Sequence, residues 1–114
     1  MNSQQVKELI LQALEHERGG VKIYKAALTC VIRADLKVEW TRYLQQTESH
    51  VETLTGFCEV VGLDPFSTTP GTLVAKFTGL ALVQAIEQAR STAGEAAAQI
   101  VAAECVVFAE TKDH

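Results

Sequence analysis

Glu17, His50, Glu87 and His114 fall on helical stripes whose other positions are mostly apolar, and Glu110 stands four residues before the last of them. A carboxylate on an inward helical face is costly unless it is paired, hydrogen-bonded or bound to a metal. Residues three or four apart on a helix share a side, so Thr47 with His50, and Glu110 with His114, each offer two groups to one point. Carboxylates and imidazoles that project inward from several helices are ligands of the kind that hold iron or manganese in a bundle core, with zinc as a further candidate. The same residues could instead make a buried hydrogen-bond network without metal.

Other chemistries find less support. No Ser-His-Asp arrangement or Gly-x-Ser-x-Gly elbow is present. Gly19-Gly20 lies within a helical pattern and lacks the strand that precedes a phosphate loop. Formal charge is −4 and the ten basic residues are scattered, which disfavours nucleic acid and an anionic membrane as partners. The polar Met1–Gln5 start does not resemble a secretory signal, and no apolar run of about 18 residues is present to span a bilayer. A cytoplasmic location is therefore expected. Cys30, Cys58 and Cys105 are odd in number and form no Cys-x-x-Cys pair, so free, buried thiols are expected rather than a disulfide framework.

The elements that must position these groups are helices. The 114 residues are 47% hydrophobic, enough for one core, and the apolar spacing is helical throughout. The expected class is all-α, an antiparallel four-helix bundle forming one domain over 1–114, with helices at about 3–29, 35–61, 71–91 and 95–114. Asn2 with Gln5 has the spacing of a capping box, Asp35 suits the N-cap of the second helix, and Gly62 suits the left-handed position after it. Leu63 to Pro70 is the connecting loop, and Thr69-Pro70 can open the third helix as N-cap and N1. Thr92 and Glu95 around Gly94 predict a turn before the fourth; one helix from 71 to 114 is the alternative.

The inner stripes read Val6, Ile10, Leu14, Glu17, Val21, Tyr24, Leu28 in the first helix and Trp40, Tyr43, Thr47, His50, Leu54, Phe57, Val61 in the second. In the third, Leu73, Phe77, Leu80, Gln84 and Glu87 share a side, and in the fourth Ile100, Val107, Thr111 and His114 do so. Gly19 and Gly20 invite a close helix approach or a kink, at about 1 kcal/mol each against alanine. Gln12-Ala13-Leu14-Glu15 returns as Gln84-Ala85-Ile86-Glu87, a weak repeat suggesting two related helix pairs. His114 carries no capping signal after it, and a chain cropped from a longer protein is one reading of that end.

With Glu17 and Tyr24 in LEHERGGVKIY, His50 in QQTESHVETL, Glu87, and ETKDH at 110–114, the chain resembles the ferritin-like superfamily of di-iron carboxylate proteins, including small bacterial ferritin-like domains. The resemblance implies an iron-binding bundle of two helix pairs joined by a crossover, and reactions of iron with oxygen or peroxide. Where that family usually carries Glu-x-x-His, this chain has Thr47 before His50 and Thr111 before His114. The crossover is also short, since eight residues reach at most about 28 Å and a 25-residue helix is about 37 Å long.

Two functions are therefore expected as alternatives. One is an iron-handling or redox bundle with Glu17, His50, Glu87, Glu110 and His114 as metal ligands; the other is a helical assembly or protein-binding module with a degenerate site. Four short helices with a partial site also leave apolar surface to cover, and a homodimer is the expected remedy.

Overall fold

The structure is a computed structural model that describes residues 2–112, with side chains described from Asn2 to Thr111. Its four helices are α1 (Ser3–Leu28), α2 (Ala34–Val60), α3 (Pro70–Thr92) and α4 (Glu95–Lys112), and no strand occurs among the described residues. The all-helical class expected from the apolar spacing is observed. No described helix is long and apolar enough to cross a membrane.

Local chemistry sets most of the helix ends. Asn2 accepts the Gln5 amide hydrogen and the Gln5 side chain accepts from the Asn2 backbone, each at 2.9 Å. Thr69 and Thr72 make the same reciprocal box ahead of α3, with Pro70 at the first helical position. After α2, Gly62 has φ +73°; the amide of Leu63 bonds to the Cys58 carbonyl at 2.8 Å and that of Gly62 to Glu59 at 3.2 Å. That pairing is the Schellman termination, and it needs the left-handed residue that glycine supplies. The start of α2 differs from expectation. Arg33 is the N-cap and offers no side-chain cap. Asp35 instead sits inside the first turn, accepting from the Leu36 amide at 2.9 Å and from the Arg33 guanidinium at 2.8 and 3.1 Å, which holds its carboxyl below the usual carboxylate range, the Arg33 hydrogen bonds contributing most. A turn at Ala93-Gly94 separates α3 from α4, although the Thr92 hydroxyl donates back to the Gln88 carbonyl at 2.7 Å rather than forward to the new helix.

Helix α1 is the hub, packing against α2, α3 and α4, while α4 also packs on α3. Its buried face is accordingly broader than the stripe read from sequence: Leu14 and Tyr24 are buried as expected, and so are Leu11, Gly20, Ile23 and Ala27. Glu17 faces His50 and Gly20 faces Thr47, so α1 and α2 run in opposite directions. Thr69 meets Glu8 and Gly79 meets Gly19, so α3 runs alongside α1 in the same direction. The segment 61–69 therefore reverses the chain at one end of the molecule. It does not travel the molecule's length, as the crossover implied by the resemblance would.

The faces of α3 and α4 differ most from the sequence reading. Leu73, Phe77, Leu80, Gln84 and Glu87 are exposed, and so are Ile100, Val107 and Thr111. The inward positions belong to Thr72, Gly79, Ile86 and Ala89 in α3 and to Ala98, Ala102, Cys105, Val106 and Ala109 in α4. Small residues let backbones approach, and the closest approach is at the α1–α3 crossing, where a Cβ added to Gly79 would stand 3.3 Å from the Gly19 Cα. The core joins Ile23, Tyr24, Trp40 and Ile86 to the alanine face of α4; all three cysteines are free and buried, Cys30 and Cys105 within that core.

Candidate functional site

Three helices meet around one small polar cleft. Its lining is Glu17 from α1, Tyr43, Gln46, Thr47 and His50 from α2, and Glu110 from α4, enclosing about 230 Å³. Helical geometry explains the set. His50 lies three residues, almost one turn, after Thr47 and seven, almost two turns, after Tyr43, so the three share a side of α2. Glu17 and Tyr24 are likewise seven apart on α1.

Glu17 and His50 are the closest titratable pair in the cleft, with Oε2 3.6 Å from Nδ1; the Glu17 side chain is 15% exposed and that of His50 is 61% exposed. The carboxylate is thus mostly withdrawn from water while the imidazole stands at the mouth. Glu110 reaches the same cleft from the far side, and its Oε1 accepts a hydrogen bond from the hydroxyl of Tyr24, whose ring is 1% exposed. The Tyr24 and Tyr43 rings lie 6.1 Å apart at a tilt of 51°. Tyr43 donates to the Glu39 carboxylate at 2.6 Å, and that hydrogen bond holds its phenol above the usual range, so it stays a proton donor. Thr47 lines the cleft from α2. Its hydroxyl donates to the Tyr43 carbonyl at 2.7 Å, and its methyl fills the space a Cβ on Gly20 would take.

Of the residues singled out by sequence, Glu17, His50 and Glu110 line this cleft together. Glu87 is exposed on α3 and does not line it; Ile86, one residue earlier, takes the inward position. His114 lies outside the described residues. Among the described residues, no three His, Cys, Asp or Glu groups stand close enough to hold a metal ion as they are placed. Tyr43, expected on the same inner stripe of α2 as His50, also lines the cleft; Gln46 was not singled out, although its spacing of four residues from His50 was the available signal. The bond between Tyr24 and Glu110, which ties α1 to α4, had no sequence signal, because it pairs residues 86 apart.

His16, near Glu17 in sequence, points elsewhere. It is half-buried and lines a largely apolar groove of about 420 Å³ between α1 and α3, which Phe108 borders at the end of α4. Comparison with protein families, with curated proteins and with solved structures finds no match to this chain.

Proposed function

We propose that the cleft between α1, α2 and α4 is a cation site and that the chain is an iron-handling bundle, ferritin-like in its donor set though not in the crossover between its helix pairs. The observation that carries this is the placement of Glu17, His50 and Glu110, from three different helices, around one cleft of about 230 Å³. The donor set fits in kind. Two carboxylates and an imidazole, with phenols behind them, are the oxygen and nitrogen ligands that divalent iron or manganese prefers. Glu17 and His50, already 3.6 Å apart, are the first two ligands. Glu110 is the third, once its carboxylate turns from the Tyr24 hydroxyl. Iron held there would supply chemistry with oxygen or peroxide. The chain's own contribution is to shelter the Glu17 carboxylate, to hold the His50 ring beside it, and to set the Tyr24 hydroxyl against Glu110.

A second reading, an assembly module with a degenerate site, is favoured by the apolar residues that α3 and α4 expose. Protein purified aerobically without chelator separates the two. Iron, manganese and zinc are determined per chain, and thermal melts are recorded before and after chelation. The metal-site reading expects close to one equivalent or more, a lower melting temperature in chelator, and loss of metal in His50→Ala with helicity retained. Less than about a tenth of an equivalent of any metal, with superimposable melts after anaerobic ferrous loading, would leave the assembly reading in its place.

A further inference from the structure

We propose that the outer faces of α3 and α4 form the interface of a homodimer related by a two-fold axis. On α3, Leu73, Val74, Phe77 and Leu80 are exposed together, Phe77 to 60%. On the helical projection they span one side with Ala81, Gln84, Ala85 and Gln88, while the charged residues of α3, Lys76, Glu87 and Arg90, fall at its edge or beyond. On α4, Ile100, Val107 and Phe108 are exposed, Val107 to 64%. The two surfaces adjoin, because α3 packs on α4 and Val74 and Phe108 border the same groove.

Area and charge together favour a second copy as the occupant. A folded monomer of 12.4 kDa should expose about 6,100 Å², whereas this chain exposes 7047 Å². The excess of about 900 Å² matches one partner's share of a standard interface, about 800 Å². The radius of gyration of 15.2 Å also exceeds the roughly 13 Å of a compact chain this long. An isologous interface sets each patch against itself, so it must avoid opposing like charges. The uncharged arc of α3 meets that requirement, whereas Glu104 stands among Ile100, Val107 and Phe108 on the outer side of α4, so the two-fold axis must run nearer α3 and keep the two Glu104 carboxylates apart. Monomers seldom expose a contiguous apolar patch beyond a few hundred Å².

Sedimentation equilibrium at about 10 μM protein in chelator, which removes any metal-bridged association, tests the proposal separately from the cation site. Wild type is expected at twice the 12.4 kDa chain mass. Phe77→Lys on α3 and Val107→Lys on α4 should each weaken association at least about a hundredfold while circular dichroism shows helicity retained. Phe57→Lys, at an exposed apolar position on α2, should leave the dimer intact. A single-chain mass for wild type overturns the proposal. So does a dimer that survives both the α3 and α4 substitutions, or one that dissociates on Phe57→Lys alone. Should one lysine variant lose its helicity, the other, on a different helix, decides the face.

Discussion

At the scale of single residues, Tyr24 and Glu110 hold the end of α4 against the C-terminal part of α1. Tyr24 is almost fully buried and its hydroxyl donates to the exposed Glu110 carboxylate. Because the acceptor can reach water instead, Tyr24→Phe should cost about 1 kcal/mol rather than the larger amount typical of buried charged bonds, read as a lower urea midpoint at unchanged m. The thiols make a separate test. Burial, with Glu104 nearby, pushes the Cys105 thiol up, and Cys30 and Cys58 are buried too. Native protein should therefore react with an aromatic disulfide reagent at pH 8 far more slowly than protein in guanidinium, where all three thiols titrate at once. Burial of the cysteines was legible in the sequence because their number and spacing left nothing else for them to do. The inward placement of Glu17 was also legible, since it interrupts a stripe that steps by four and three. The outward placement of Glu87 was not, because Ile86 beside it competes for the same face and periodicity alone does not choose between adjacent residues.

The same contrast holds for whole helices. Ends governed by short-range chemistry, such as Asn2 with Gln5, Thr69 with Pro70, and Gly62, are where the residue types place them. Faces governed by long-range packing are not. Large apolar residues dominate a hydrophobicity pattern, but α3 and α4 turn alanine, glycine and cysteine inward because close backbone approach needs small side chains. The Gly19–Gly79 crossing makes this testable, since the two glycines are not equivalent. A Cβ on Gly19 would meet Gly79 at an ordinary 3.7 Å, whereas one on Gly79 would press Gly19 at 3.3 Å. Gly19→Ala should stabilise by up to about 1 kcal/mol through helix propensity; Gly79→Ala should gain less, and Gly79→Leu should lose about 2 kcal/mol or more by forcing the helices apart. Thermal melts of the three variants give the ordering. The contact between the starts of α1 and α3 carries a pH dependence. Gln12 and Thr69 both donate to the Glu8 carboxylate, at 2.8 and 2.7 Å, and hold it below its usual range. A carboxyl lowered on folding adds stability that is fully present above its unfolded pKa and is lost as pH falls through its folded value. Melting temperature should therefore drop below about pH 4.5 less steeply in Glu8→Gln than in wild type.

For the molecule as a whole, the alternating helices and the short 61–69 reversal leave α1 enclosed and the outer sides of α3 and α4 bare. If those sides close on a second copy, unfolding releases two chains, and mass action ties the melting temperature to concentration. Each tenfold increase in dimer concentration adds about 1.4 kcal/mol to the apparent stability per dimer, which for a unit of this size raises the midpoint by about 3 °C or more. Phe77→Lys should melt at one temperature across the same range. The proposed cation site, whose candidate ligands Glu17, His50 and Glu110 line one cleft of a single chain, predicts a different pattern: chelator should lower the midpoint by a similar amount at every concentration and in Phe77→Lys as well. A grid of melts from about 1 to 100 μM, with and without chelator, reads the two effects independently. Midpoints that ignore concentration would reject the interface, and midpoints that ignore chelator after ferrous loading would reject the site. A chelator effect that vanishes in Phe77→Lys would instead mean that the cation bridges two chains, and would overturn a site built from Glu17, His50 and Glu110 of one chain alone.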